Sequence, residues 1–102
     1  INFWGNELTL HASDPREKKQ SERHNVDMGN VSVPHFGVHL SREDFDEVKK
    51  RCIDNKIKFI DEPYLRFKGE ALEQETMFIE DPNGNAMEIK TMKNPEELWK
   101  LQ

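Results

Sequence analysis

Apolar positions along this chain recur at two spacings, and the switches between them outline its elements. Near the start, Leu8 and Leu10 alternate with Glu7, Thr9 and His11, a period of two that predicts a strand with opposite faces, following a kink at Gly5 and Asn6. Residues 13 to 33 carry many charges and no period, which predicts a long surface loop with His24 a solvated side chain inside it. Alternation returns at "VPHFGVHL": Phe36, Val38 and Leu40 take one face and His35, Gly37 and His39 the other, with Pro34 at the strand entrance. The spacing then becomes helical. Phe45, Val48, Cys52 and Ile53 form one inward stripe, Ser41 is placed to cap with Asp44 three residues on, and the helix is predicted to run to about Asn55. "KIKFI", "PYLRFK", "TMFIED" and "NAMEIK" read as strands, and "NPEELWKL" as a short closing helix with Asn94 capping and Pro95 at its first position.

The order strand, helix, strand, strand, strand over residues 34 to 91 predicts an α+β unit, a four-stranded sheet with one helix across one face. The other face is then open. Alternation assigns to it His35, Gly37 and His39, then Tyr64, Arg66 and Lys68, and from the last strand Ala86, Glu88 and Lys90, with Glu7, Thr9 and His11 offering a similar polar face from the segment before the loop.

Composition narrows the partners. The chain has 102 residues, room for one modest core, with 34% hydrophobic and 34% charged residues, so that core must come from alternating patterns. No stretch is long and apolar enough to span a membrane, and no signal-peptide pattern stands at the start, although the chain opens on Ile1. A formal net charge of −5 argues against a nucleic-acid surface and leaves small molecules or proteins as partners. The single Cys52 excludes an internal disulfide and a cysteine-based zinc site, fits a cytoplasmic setting, and at its helical position reads as a small buried apolar side chain.

Glu88 is the position that core packing alone does not explain. In "IEDPNGNAMEIK", strand, tight turn and strand, it sits between Met87 and Ile89, on the face shared with His35 across the sheet. Imidazole nitrogen and carboxylate oxygen are donors that divalent metals take, and strands hold them in defined positions. His35, Glu88 and His11 are the candidate ligands, and the ordinary alternative is three solvent-facing polar side chains. His39, four residues along from His35, is about 13 Å from it at strand rise, too far to share an ion.

"VPHFGVHL", the helix after it, "RFKGE" and "FIEDPNGNAMEIK" resemble the second βαβββ module of the vicinal oxygen chelate superfamily, which includes glyoxalase I, extradiol dioxygenases, and fosfomycin and bleomycin resistance proteins. The resemblance implies the following division: residues 1 to 12 as the last strand of an incomplete first module, 13 to 33 as a linker, 34 to 92 as the second module, and 93 to 102 as a C-terminal helix. In such proteins two modules form a cleft, and the first and last strands of each supply metal ligands. His35 falls on the first-strand histidine of module two and Glu88 on its last-strand glutamate, which also makes Glu88 the implied catalytic residue. His11 or Glu7 falls where the last strand of module one would supply another ligand. The first-strand ligand of module one has no counterpart, so either a preceding segment or a second copy is expected to supply it, and a homodimer is implied.

A divalent ion is implied as cofactor, with iron, zinc, nickel and manganese all compatible. The implied substrate is a small molecule that chelates the ion through neighbouring oxygens, in a lyase, isomerase or dioxygenase reaction. Arg66 and Lys68 are candidates for gripping an anionic group of that substrate, against the plainer role of keeping an edge strand soluble. Two other functions stay open: a cleft that sequesters a drug or metabolite without chemistry, and a module kept as a structural partner.

Overall fold

A computed structural model describes residues 1 to 12, 14, 22 to 26 and 29 to 101. Eight strands and two helical segments occur among them. β1 (Asn2–Phe3) and β2 (Asn6–Glu7) form a minimal antiparallel pair, and β3 (Glu22–Val26) and β4 (Gly29–Val33) form a second hairpin. The main sheet contains β5 (His35–His39), β6 (Phe59–Arg66), β7 (Gln74–Glu80) and β8 (Ala86–Met92) in the order β5-β8-β7-β6. β5 and β8 run parallel, and the other two pairings are antiparallel. The helix α1 (Arg42–Asp54) follows β5, and a 3₁₀ helix, Pro95–Leu101, closes the described chain.

Helix α1 begins where expected. Ser41 is extended, and its side chain accepts a hydrogen bond from the Asp44 backbone N–H at 3.1 Å, satisfying one orphan donor of the first turn. Glu43 and Asp44 in the first turn and Arg51 in the last complement the helix dipole. The helix lays Phe45 and Val48 on the sheet, where Phe45, Met77, Ile89 and Leu40 form the core with Val38, Phe59, Ile79 and Met87 packed around it. Cys52 is buried as anticipated, and burial pushes its thiol pKa up. Ile53 is a correction: it is 56% exposed, because the apolar stripe occupies only one side of α1 and Ile53 falls beyond its edge.

The turn into β8 sets the register of that strand. Asp81 Oδ1 accepts from the backbone N–H groups of Asn83 and Asn85, Oδ2 accepts from the Asn85 side chain, and Gly84 adopts φ +85°, the left-handed region that favours glycine. Burial alone would raise the Asp81 pKa, but these hydrogen bonds outweigh it and hold the carboxyl below its ordinary value.

Three sequence expectations change. "KIKFI" and "PYLRFK" contribute to a single strand, β6, whose register against β7 shifts between Phe59 and Asp61 and again between Asp61 and Tyr64; the irregularity masks its continuity in the pattern. Residues 7 to 11 form no strand of their own. Asn6 and Glu7 pair with Phe3 and Asn2, Leu8 exchanges hydrogen bonds with Ile1, and Leu10 is exposed, so the alternation there is not matched by a sheet to bury it. Within residues 13 to 33, β3 and β4 pair over five residues each, and Val31 and Ser32 are buried; His24 is exposed as expected but lies on β3. The rest of the loop expectation, at residues 13, 15 to 21, 27 and 28, lies outside the described residues.

Candidate functional site

Residues directly opposite on neighbouring strands share a face, so the register defines two surfaces. Val38, Ile89 and Met77 lie in one row facing α1. On the opposite face, one row runs Gly37, Glu88, Phe78 and Asp61, and the next His39, Lys90, Thr76 and Tyr64. Phe78 and Thr76 are fully buried in the middle of this face. The positions around them in the two rows, Glu88, Lys90, Asp61 and Tyr64, are polar.

His35, at the start of β5, reaches Glu88. Its Nε2 lies 3.3 Å from Glu88 Oε2, and its ring meets the Phe78 ring edge-on with centroids 5.1 Å apart. Its Nδ1 lies 2.6 Å from the carbonyl oxygen of Ser32. A carbonyl only accepts, so Nδ1 carries the proton and Nε2 is the nitrogen presented to the carboxylate. Two arrangements satisfy that contact: a doubly protonated ring donating to Glu88, or a cation held between the Nε2 lone pair and the carboxylate. A carbonyl on the far nitrogen is the support that metal-bound histidines commonly have.

The other carboxylate oxygen has its own partner. Lys90 Nζ is 3.0 Å from Glu88 Oε1, as the two-residue spacing along β8 allows. Across the row, burial lowers the His39 pKa, with Lys90 acting in the same direction, so this ring is neutral near pH 7. Burial raises the Tyr64 pKa, and Asp61 and Glu88 add to that against Arg66, so its hydroxyl stays protonated. Gly37 stands opposite Glu88, and a Cβ there would strike the Glu88 carbonyl oxygen; the space beside His35 is taken up by the close approach of Glu88 itself.

The expected site residues are thus brought together in part. His35 and Glu88 meet. His11 is exposed in the N-terminal segment, and no group of three His, Cys, Asp or Glu side chains able to hold a metal occurs among the described residues. His35 and Glu88 suit a divalent ion as two of its donors, one nitrogen and one oxygen on the same face with the ring already oriented. Arg66 ends β6 on the same face as Tyr64, with its guanidinium over the Phe67 ring at 4.8 Å. Lys68 lies beyond the strand in the following turn and is exposed, because Phe67 at φ +54° breaks the alternation that placed it on the sheet.

Asp61 and Arg23 were not anticipated. Arg23 on β3 donates to Asp61 Oδ1 at 2.9 Å, across 38 residues of sequence. This contact and the one from Ser32 to His35 attach the β3–β4 hairpin to both edge strands of the sheet. Nothing in the local pattern of residues 22 to 33 signals these pairings. Lys90, by contrast, was readable, since it alternates with Glu88.

Comparison with solved structures gives a match to a glyoxalase/bleomycin resistance protein/dioxygenase from Alicyclobacillus acidocaldarius, with 30% identity and a TM-score of 0.60 over 71% of this chain and 53% of that one. A protein described as a conserved domain protein matches with 24% identity and a TM-score of 0.43, over 69% of this chain and 56% of that one. A virulence protein from Salmonella typhimurium matches with 21% identity and a TM-score of 0.41, over 65% and 55%. The chain spans about half the length of each of these proteins. No family model and no curated protein matches it.

Proposed function

Because the chain belongs to the glyoxalase/bleomycin resistance protein/dioxygenase superfamily, whose α+β fold it has, we propose that it is a metal-dependent enzyme acting on a small substrate that presents two neighbouring oxygens. The observation that supports this most is the His35–Glu88 pair, with the ring oriented by the Ser32 carbonyl and its second nitrogen directed at a carboxylate 3.3 Å away. His35 Nε2 and Glu88 are the proposed ligands, and iron, zinc, nickel or manganese would suit them. His11, or Glu7 in its place, is the proposed further ligand, from an N-terminal segment that ends a first module or from the second copy of a homodimer. Residues 34 to 92 form the second module in this reading, residues 13 to 33 the linker and 93 to 102 the C-terminal helix. A bound ion would polarise the substrate oxygens and stabilise negative charge on them.

The chain's own residues supply the rest. Glu88 is the proposed proton acceptor, with the Lys90 ammonium 3.0 Å from its Oε1. Phe78 and Thr76, uncharged and fully buried beside Glu88, lower the local dielectric and so strengthen its electrostatic contacts. Arg66, with Lys68 at the border, is proposed to hold an anionic group of the substrate. The reaction would be that of a lyase or isomerase, or of a dioxygenase. A cytoplasmic location is part of this reading and is supported by the lone, buried cysteine. No helix among the described residues is long and apolar enough to cross a membrane.

One observation favours a second reading. Lys90 already occupies Glu88 Oε1 as a cationic partner, as it would in a cleft that binds a drug or metabolite without a metal. Elemental analysis of purified protein separates the two. The enzyme reading expects a stoichiometric transition metal in wild type and its loss in His35→Ala and Glu88→Ala; equally little metal in all three would leave the binding protein.

A further inference from the structure

His35 stands between two acceptors that compete for one proton. In the neutral ring, a proton on Nδ1 goes to the Ser32 carbonyl at 2.6 Å and leaves a lone pair on Nε2, whereas a proton on Nε2 goes to Glu88 Oε2 at 3.3 Å and leaves no lone pair there. The Ser32 contact is the shorter, and it decides the tautomer. Chain connectivity keeps Ser32 near His35, but the direction of its carbonyl follows the tilt of the β3–β4 hairpin, because Ser32 is a β4 residue paired with Arg23 on β3. Arg23, the other member of that pair, donates to Asp61 Oδ1 at 2.9 Å on β6. β5 and β6 are the two edges of the sheet, so one cross-strand pair of the hairpin is held at both edges, by Ser32 at one and Arg23 at the other. Stability is a poor account of the Arg23–Asp61 contact. Both side chains are partly exposed, and ion pairs of that kind add little, while Asp61 Oδ2 is buried with no hydrogen-bond partner, which costs free energy.

We propose that Arg23 and Asp61 are positioning residues for His35: their ion pair fixes the hairpin so that the Ser32 carbonyl holds the ring proton on Nδ1 and keeps the Nε2 lone pair directed at Glu88. This deepens the reading of His35 and Glu88 as metal ligands and rests on it for its use, since only that lone pair can take a cation. Neither Arg23 nor Asp61 touches ion or substrate in this assignment; both act through Ser32. The tautomer itself is a property of the chain without metal, and it can be read directly.

The test is nitrogen-15 NMR of the imidazole rings in the metal-free full chain at about pH 9, above the ordinary range for imidazole, followed by calorimetric titration of the same samples with zinc. Wild type is expected to show His35 with its proton on Nδ1. Arg23→Met and Asp61→Ala should each move most of that proton to Nε2, the tautomer the Glu88 contact favours, and should weaken zinc binding about tenfold, the size of effect that outer partners of metal-bound histidines have. Arg23→Lys keeps the charge and should restore much of the wild-type tautomer. Lys50→Met breaks an ion pair with Asp54 on α1 and should change neither reading, which separates positioning from a general loosening of the fold. Protonation on Nδ1 to the same extent in wild type, Arg23→Met and Asp61→Ala would overturn the proposal, as would a wild-type ring already protonated on Nε2. If wild type takes up no zinc, the metal assignment fails by itself; the tautomer shift in the variants still supports the positioning role, and its absence still overturns it.

Discussion

Gly37 and Glu88 face each other across the parallel pairing of β5 and β8, so closely that a Cβ on Gly37 would collide with the Glu88 carbonyl oxygen and lie 2.9 Å from the Glu88 Cβ. Glycine at 37 therefore serves the position of Glu88. Gly37→Ala is expected to force the two strands apart and to cost about 1–3 kcal/mol, as overpacked sites do. Urea denaturation measures this, and a loss under about 0.5 kcal/mol would show that the strands yield freely.

Lys90 offers a test of sign for the metal proposal. If Glu88 binds an ion, the ammonium beside its Oε1 opposes that binding, so Lys90→Met should raise zinc affinity severalfold, whereas His35→Ala should lower it tenfold or more. Calorimetric titration with zinc reads both. Lower affinity in Lys90→Met would mean that the lysine supports the site.

The two sides of α1 should respond differently to truncation. Phe45 is fully buried under the sheet, and Phe45→Ala is expected to cost about 3–5 kcal/mol. Ile53→Ala, at an exposed position, should change stability by less than about 0.5 kcal/mol. Ser41→Ala removes the cap and should cost about 1 kcal/mol. Chemical denaturation of the three variants checks the order, and comparable losses for Phe45 and Ile53 would contradict the packing.

Glu75 makes stability depend on acidity. Burial opposes its ionisation, but hydrogen bonds from Arg42 at 2.7 Å and Lys49 at 3.0 Å outweigh that and hold its carboxyl below the ordinary value of 4.5. A depressed pKa in the folded state contributes stability that is present above the unfolded value and lost as pH falls through the folded one. Glu75→Gln should therefore destabilise the chain at pH 7, and the difference from wild type should shrink steadily below about pH 4.5. Denaturation at pH 7 and pH 3 decides this; an unchanged difference would mean that the ion pairs add nothing.

Much of the main sheet was legible because each element has a strong local signal. Period-two alternation marked β5, β7 and β8, the Ser41 cap and the Phe45, Val48 and Cys52 stripe marked α1, and the middle of "IEDPNGNAMEIK" marked the turn before β8. Failures occurred where a local pattern depends on a distant partner. Leu8 and Leu10 alternate like strand residues, yet among the described residues the pairing there stops at Leu8, which exchanges hydrogen bonds with Ile1 beyond the two-residue β1–β2 contact. β3 and β4 carry polar residues with no period, and they become strands through mutual pairing.

From the sequence alone came the α+β class, the faces of β5 and β8, and hence that His35 and Glu88 share a surface; side-chain period depends only on backbone geometry, which is local. Only the tertiary structure decided which residues on that surface meet. The 3.3 Å contact of His35 with Glu88, the Ser32 carbonyl that orients the ring, the lysine at Glu88 Oε1 and the pairing of Arg23 with Asp61 all depend on strand order and register. Those are settled by packing the whole sheet against one helix, a sum over contacts far apart in the chain that no short window of residues contains.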